Sequence, residues 1–168
     1  MSLAPGSRIA LRMSFVAALA LSADPARADA GVDFALHKPV TGSAVCKASE
    51  PASNAVDGTI SSILDKFCSL ERPAWLQVDL GQTRRIHEFT IRHAGAGGES
   101  RAWNTRAFDI LASSDGVQWQ RVVHIVDNTD DVSKHAIAPI EMRYVKLVVH
   151  VPAQNGDPAT RIFELEVR

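Results

Sequence analysis

Hydrophobic and polar residues alternate along much of the chain from residue 74 onward. The clearest example is residues 74–81 (AWLQVDLG), in which Leu76, Val78 and Leu80 occupy every second position. Similar runs, rich in β-branched and aromatic residues, occupy residues 85–93, 107–114, 117–126, 142–151 and 161–168. Clusters of Gly, Asp, Asn and Pro separate the runs, and no segment repeats apolar residues at helical spacing. The pattern predicts an all-β fold, an antiparallel sandwich or barrel.

Residues 113–119 (SSDGVQW) carry a turn signal between two of these predicted strands. The Asp115-Gly116 pair suits a two-residue hairpin turn that requires positive φ. The strand-like pattern extends to the end of the sequence, and its length is typical of one domain. We therefore expect a single domain over residues 32–168.

The first 28 residues differ in character from the rest of the chain. Arg8 and Arg12 precede an apolar run over residues 13–21, and small residues follow at positions 26, 28 and 30. This order is typical of a secretory signal peptide cleaved near Ala28, with an N-terminal helix packed on the domain as the alternative. The apolar run is too short to span a bilayer. We expect a secreted, periplasmic or extracellular protein.

Export changes the interpretation of the two cysteines, Cys46 and Cys68. An oxidising compartment favours a disulfide, which would stabilise the fold by roughly 3 kcal/mol for a loop of this length. A zinc site would need further Cys or His ligands at suitable spacing, and a catalytic thiol has no evident partner. We predict that Cys46 and Cys68 are joined.

Charge and motifs exclude several classes of function. The chain has 18 basic and 19 acidic residues without a basic stripe, so we expect no nucleic-acid partner. No lysine-rich amphipathic helix is present, so membrane insertion is not expected. No G-x-S-x-G elbow or H-E-x-x-H helix occurs. Glu99 and Asp157 are candidate carboxylates for glycoside hydrolysis, but no sequence feature adapts either as an acid. We expect no catalysis.

Five segments occur in the order found in discoidin domains, also called coagulation factor 5/8 type C domains. They are EPASNAVDGTISS (50–62), AWLQVDLG (74–81), NTRAFDILASSDGVQW (104–119), RYVKLVV (143–149) and RIFELEV (161–167). The chain resembles this family, and most closely its family 32 carbohydrate-binding modules, although Phe67 stands where many members have Trp.

This resemblance implies a galactose-binding-like jelly-roll β-sandwich of about eight antiparallel strands. Members bind sugars, cell-surface proteins or phospholipids through loops at one end of the sandwich. Similar domains are often appended to secreted bacterial glycoside hydrolases, so we expect such an enzyme as a partner or parent chain. We expect the protein itself to be a monomer.

The turn at residues 54–62 (NAVDGTISS) offers hard oxygen ligands around one point. Carboxylate, carbonyl and hydroxyl oxygens on a tight turn suit calcium, although an Asp-Gly pair alone is more often only a turn. The resemblance implies a structural Ca²⁺ ion, with a Glu on the final strand completing its shell. The implied ligand positions are Asn54, Asp57, Thr59, Ser62, Phe163 and Glu164.

Residues 93–108 (HAGAGGESRAWNTRAF) place large polar and aromatic side chains on a glycine-rich loop between two predicted strands. Loops on a rigid scaffold often carry binding groups. A sugar ring stacks on aromatic side chains, and its hydroxyls need planar donors and acceptors. The candidate ligand-binding residues are His93, Glu99, Arg101, Trp103, Asn104 and Arg106, joined by Gln154 and Asn155 from a second loop.

The resemblance implies that His93 and either Arg101 or Arg106 contact a galactose-type sugar. We therefore predict non-catalytic binding of extracellular glycans of the galactose or N-acetylgalactosamine type. One alternative is an ordered surface loop with Trp103 packed on the sandwich. Another is an adhesion module that binds a protein or phospholipid surface through an apolar spike. The spike residues would be Ile63, Leu64, Phe67 and Leu70.

Overall fold

Eight antiparallel strands make up the fold in the computed structural model, which describes Met1 and residues 31–168. The strands are β1 (Val40–Gly42), β2 (Phe67–Ser69), β3 (Ala74–Arg92), β4 (Ala107–Ser113), β5 (Gln120–Ile125), β6 (Val132–Val151), β7 (Thr160–Ile162) and β8 (Glu164–Val167). Short 3-10 turns at Ala52–Val56, Ala94–Gly97 and Arg101–Trp103 lie in the connections. The predicted all-β fold is confirmed. The expected signal peptide, apart from Met1, lies outside the described residues.

The long strands β3 and β6 pair with each other and contribute to both layers of the sandwich. Their register shifts near Asp79 and again near Ile86. We call the segments before and after these shifts the two parts of each strand. The first part of β3 joins a front sheet with the order β1-β3-β6-β4-β5. The second part pairs with the beginning of β6 and with β8 to form the back. Strands β2 and β7 form a separate pair.

The core lies between these layers and follows the alternation seen in the sequence. Leu76 and Val78 on the front sheet are buried, as are Phe89, Ile91 and Leu165 on the back. Burying each such side chain contributes roughly 1.5–3 kcal/mol to the stability of the fold. Gln77, between Leu76 and Val78, remains partly exposed, whereas Thr90, between Phe89 and Ile91, is buried as well. Period-two alternation therefore identified the buried face of β3 correctly.

The hairpin predicted at Asp115-Gly116 is present between β4 and β5, but its loop is longer than the expected two residues. Six residues, 114–119, separate β4 from β5, and Gly116 has a φ of 76°. The Asp115 carboxylate accepts hydrogen bonds from the amides of Val117 and Gln118, at 2.8 Å each. Side-chain capping stabilises this longer loop, since short polar side chains can replace the backbone hydrogen bonds of a tight turn.

The segment before β1 is fastened to the last strand. Phe34 donates its backbone N–H to the carbonyl of Val167 at 2.7 Å. The Asp33 carboxylate accepts from the amides of Ala35 and Val167, both at 2.9 Å. Burial raises the pKa of Asp33 above its usual value. These bonds hold the first described residues beside β8.

The predicted disulfide between Cys46 and Cys68 is confirmed. The Cys46 amide also donates to the Cys68 carbonyl at 2.9 Å, and Val45 forms a β-bridge with Ser69. The loop before the first 3-10 turn is therefore held against β2. Within the described part of the chain, no helix is long and apolar enough to cross a membrane.

Candidate functional site

The glycine-rich loop is ordered by close packing. A Cβ atom at Gly97 would overlap the ring of Phe163, so only glycine fits there. Gly98 ends the 3-10 turn Ala94–Gly97 with a φ of 85°, which L side chains rarely adopt. The glycines therefore let the loop backbone lie directly on a buried aromatic ring.

Asn104 holds this loop to its neighbours and is fully buried. Its Oδ1 accepts from the Gly95 amide, and its Nδ2 donates to Asp131 Oδ1, both at 2.8 Å. Gln154 Nε2 donates to the carbonyls of Asn104 and Asn128, at 3.0 and 2.6 Å. Both predicted ligand-binding amides are thus engaged in fixing loop structure.

His93 is also inaccessible, although it was expected to contact a sugar. Its exposed fraction is 0 %, and its Nε2 lies 2.9 Å from the hydroxyl of Ser133. Burial lowers the pKa of His93 to about 3, so the imidazole is neutral at physiological pH. In this conformation no atom of His93 can reach a ligand in solvent. We therefore assign His93 to the support of the loop and leave it out of the candidate site.

Three other predicted residues are exposed and have partners of their own. Arg101 Nε lies 3.1 Å from Asp131 Oδ1, and Arg106 Nε lies 2.8 Å from Asp127 Oδ1. Asn155 Oδ1 accepts from a backbone amide two residues on, in an exposed turn. These side chains remain available to solvent at the loop surface.

Glu99 points into a cleft, here named the Glu99 cleft, of about 230 Å³. Its lining residues are Cys46, Lys47, Glu50, Lys66, Cys68, Leu70, Glu99, Ala159 and Arg161. The Glu99 side chain is 10 % exposed, and its Oε1 lies 3.3 Å from Lys66 Nζ. Its buried Oε2 accepts no hydrogen bond from any described residue. The cleft therefore presents an acceptor that lacks a hydrogen-bond partner.

Lys66 connects two carboxylates at the base of this cleft. Its Nζ lies 3.2 Å from Glu50 Oε1 as well as close to Glu99, and it donates to the Ile63 carbonyl. Its side chain is 6 % exposed. Neither Lys66 nor Glu50 was among the predicted site residues. The sequence offered a weak signal, a lysine directly before the buried pair Phe67 and Cys68.

Arg161 on β7 forms the other wall of the Glu99 cleft. Its guanidinium lies 4.5 Å from the centre of the Trp103 ring, and its Nη1 lies 2.8 Å from Asp157 Oδ1. The hydrogen bond from Arg161 holds the pKa of Asp157 below its usual value. Arg161 Nε is 3.7 Å from Glu99 Oε2. Carboxylate, guanidinium, ammonium and indole groups therefore converge, as recognition of a hydroxyl-rich ring requires.

A second cleft, here named the Glu164 cleft, also measures about 230 Å³. It is lined by Asp33, Leu36, Gly58, Ile60, Arg92, Glu164 and Glu166. Glu164 is buried, its Oε1 accepts from the Gly58 amide at 2.9 Å, and its Oε2 has no partner among the described residues. Burial, with a smaller contribution from the nearby Asp57 carboxylate, raises the pKa of Glu164 to about 8.

The other expected calcium ligands are not among the residues that line this cleft. Asp57 Oδ1 accepts from the Thr59 amide at 2.8 Å, directly beside Gly58. Asn54 donates its side-chain amide to the carbonyls of residues 49, 64 and 66, which leaves its own carbonyl as the expected ligand. The Ser62 hydroxyl is exposed and accepts from the amide of residue 64. Phe163 is buried and donates its amide to the carbonyl of residue 92.

The donor set of the Glu164 cleft fits a hard cation. A buried carboxylate oxygen without a partner, next to a second carboxylate, is costly unless a positive charge compensates it. Oxygen ligands of this kind suit calcium. Elsewhere in the described residues, the ligand atoms of Cys46, Glu50 and Cys68 converge, but the disulfide occupies both sulfurs.

The spike of the adhesion alternative is only partly present. Ile63, Leu64 and Leu70 are exposed, but Phe67 is fully buried in the core. Asp65, within the same loop, accepts from the amide of Ser62. The exposed apolar surface of the proposed spike therefore consists of three aliphatic side chains. One of them, Leu70, borders the Glu99 cleft.

Comparison with known proteins identifies relatives of this fold. The profile of the family described as the NedA-like, galactose-binding domain (F5/F8 type C) matches residues 54–147. The family 32 carbohydrate-binding module of Streptococcus pneumoniae EndoD is similar, with a TM-score of 0.69 and 25 % identity over 79 % of this chain and 97 % of that one. The resemblance to discoidin domains is confirmed. No curated protein sequence matches significantly.

Two further solved structures share the fold at lower identity. The lectin domain of Lectinolysin, complexed with Lewis B antigen, has a TM-score of 0.68 and 22 % identity, covering 82 % of this chain and 96 % of that one. Chitosan-binding module 1 from a chitosanase/glucanase of Paenibacillus sp. IK-5 has a TM-score of 0.67 and 21 % identity. That match covers 82 % of this chain and 98 % of that one.

Proposed function

Because the chain belongs to the family of NedA-like, galactose-binding domains, we propose that it binds glycans and does not cleave them. We place the binding site in the Glu99 cleft. The observation that carries this proposal is Glu99, which lines the cleft with Lys66 and Arg161 and whose Oε2 accepts no hydrogen bond from the described residues. Galactose and N-acetylgalactosamine are the ligands proposed.

The chemistry of the cleft suits a neutral sugar with several hydroxyls. A sugar hydroxyl donates to the partly exposed Glu99 carboxylate, and hydroxyl oxygens accept from Lys66 and Arg161. Each hydrogen bond to a charged group contributes about 1.5–3 kcal/mol. Leu70 and Trp103 supply apolar surface for the ring face. Because ion pairs already fix these side chains, binding orders few additional groups.

The exposed Arg101, Arg106 and Asn155 would contact further units of a longer glycan. His93, Asn104 and Gln154 support the loops and are not ligand contacts in this proposal. This division separates residues whose loss would weaken binding directly from residues whose loss would disorder the site.

A glycan array followed by calorimetry tests the proposal. Glu99→Gln should weaken binding of galactose-type glycans by about tenfold or more, because one charged acceptor is lost. Leu70→Ala, at the exposed rim, should weaken it less and leave the thermal transition unchanged. Glu141→Gln, an exposed glutamate on β6, is the matched control and should bind as wild type.

Two results would contradict this assignment. Wild-type protein that binds no glycan but binds phospholipid vesicles through Ile63 and Leu64 would favour the adhesion alternative. Release of reducing sugar from a bound glycan would contradict the absence of catalysis.

We also propose that the Glu164 cleft holds a structural Ca²⁺ ion. Asp57 and Glu164 would supply carboxylate oxygens, and the carbonyls of Asn54, Thr59 and Phe163 and the Ser62 hydroxyl are the further candidates. Bound there, the ion would compensate the buried charge of Glu164 and join β8 to the early turn. Chelator should lower the melting temperature of wild type and leave Asp57→Ala unaffected. Equal responses would argue that no ion binds at Asp57.

We propose that the protein is exported through its first 28 residues and acts as a secreted monomer, alone or attached to a glycoside hydrolase. A disulfide such as Cys46–Cys68 is typical of oxidising compartments. N-terminal sequencing of protein recovered from the culture medium or periplasm should begin near Asp29. A mature protein that retains residues 1–28 would contradict the cleavage.

A further inference from the structure

The outer face of the front sheet carries aromatic and basic side chains away from both clefts. Cross-strand pairs align Gln77 with Lys146, Lys146 with Leu111, and Leu111 with Arg121. Residues that pair in this way project from the same face of a sheet. Trp75, two residues before Gln77, shares that face. We call this surface the outer face and define it by the residues Trp75, Gln77, Leu111, Trp119, Arg121 and Lys146.

Lys146 lies between two indole rings at the centre of this face. Its Nζ is 5.4 Å from the centre of the Trp75 ring and 4.3 Å from that of Trp119. No carboxylate of the described residues lies within ion-pair distance of it. Arg143, nearby on β6, is instead neutralised by Asp79 through two hydrogen bonds of 2.8 Å. The outer face therefore holds a positive charge that no carboxylate of residues 31–168 neutralises.

Trp119 also borders a shallow groove of about 190 Å³ that offers polar groups. The groove is lined by Ala112, Ser113, Ser114, Gln118, Trp119, Gln120 and Met142. Serine hydroxyls and glutamine amides can both donate and accept hydrogen bonds. Arg121 is paired with Asp109 at 3.7 Å, so Lys146 is the positive charge of this face without an ion-pair partner among the described residues.

We propose that the outer face binds an acidic polysaccharide, with uronate rings packed on Trp119 and Trp75 and a carboxylate paired with Lys146. Indole rings complement the apolar face of a sugar, and an ammonium complements a carboxylate. Because strands lie about 4.8 Å apart, the face extends about 15 Å from β3 to β5, which accommodates several sugar units. This surface shares no residue with the Glu99 cleft, so it does not depend on the function proposed there.

The test uses polygalacturonate and its fully methyl-esterified form, which has the same backbone without the charge. Wild-type protein should bind the acid form about tenfold or more tightly than the ester, and salt should weaken that binding. Lys146→Met keeps a side chain of similar length between the indoles and should remove the preference for the acid. Trp119→Ala should weaken binding of both polymers.

Two variants provide controls for site and for charge. Lys134→Met removes an exposed lysine from the other part of β6 and should bind as wild type. Glu99→Gln should also leave polygalacturonate binding unchanged. The proposal is overturned if polygalacturonate does not bind, if the ester binds as well as the acid, or if Lys134→Met loses as much affinity as Lys146→Met. Loss of binding in Glu99→Gln alone would move the site to the Glu99 cleft.

Discussion

The two clefts share one unusual feature and differ in their surrounding charge. Each contains a buried glutamate with one oxygen that accepts no hydrogen bond within the described part of the chain, Glu99 Oε2 in one and Glu164 Oε2 in the other. Glu99 lies beside the cations Lys66 and Arg161. Glu164 lies beside Asp57. The hydrogen bond to Glu164 Oε1 comes from the Gly58 amide rather than from a cation.

This difference indicates what each cleft can bind. A carboxylate that is already paired with cations has its charge compensated, so its remaining oxygen suits a neutral hydroxyl donor. A carboxylate whose neighbours are also acidic leaves the local charge uncompensated, so it suits a metal cation. The surroundings of two chemically identical groups therefore suggest two different ligands.

The largest expected effect is a loss of unfolding free energy when Lys66, the buried cation of the Glu99 cleft, is removed. Lys66→Met would leave the buried Glu50 carboxylate without a cation and Glu99 with Arg161 alone. Breaking a buried ion pair on one side costs about 3–5 kcal/mol, and urea denaturation should show a loss of that size. Lys47→Met, at an exposed lysine of the same cleft, should change stability by less than about 0.5 kcal/mol. A Lys66→Met variant as stable as wild type would mean that Lys66 does not compensate the carboxylates.

The second prediction concerns the response of each glutamate to calcium. Calcium at a hundredfold excess over its dissociation constant should stabilise wild type by about 2.7 kcal/mol. Glu164→Gln should lose this gain, whereas Glu99→Gln should keep it, since Glu99 lies in the other cleft. Thermal unfolding of the three proteins in calcium and in chelator measures the difference. A calcium response that disappears in Glu99→Gln would remove the distinction between the clefts.

The third and smallest effect concerns His93, a buried group in neither cleft whose Nδ1 also lacks a partner. Burial lowers its pKa to about 3 from the ordinary 6.5. Between these values the unfolded chain binds a proton that the folded chain excludes, so stability falls as pH falls. The slope approaches about 1.4 kcal/mol per pH unit.

Comparison with His93→Gln isolates this contribution from other titrating groups. The difference in unfolding free energy between wild type and variant should shrink or reverse between pH 7 and pH 5. His135, whose pKa burial also lowers, is present in both proteins and cancels. Parallel pH profiles would show that His93 is accessible to protons in the folded state.

The sequence predicted the fold well where strands are regular and poorly where they are short or polar. Alternation identified both parts of β3, including its buried face. The three-residue strands β1 and β2 are too short to show a period. The first part of β6 was missed because polar residues alternate there with few large apolar ones. Periodicity reports burial on one face, so strands without that contrast give little signal.

The site was less predictable, because its residues come from distant segments. Of the predicted loop residues, Glu99 lines the cleft and Trp103 lies against its Arg161 wall. Lys66 and Arg161 complete the cleft through contacts that only the folded chain creates. His93 resembled a surface ligand in the sequence, yet a polar residue at a strand end can equally face inward. Local patterns alone do not distinguish those two orientations.

The hydrogen bonds that join Asp33 and Phe34 to Val167 affect how the order of the chain segments can be changed. Since these positions are hydrogen-bonded neighbours, residues 31 and 168 leave the domain close together, and a short linker can join them. New ends can then open at the exposed Asn155-Gly156 turn or within residues 114–118, as circular permutation favours such sites. The same closeness suits insertion of the whole domain into a surface loop of another protein.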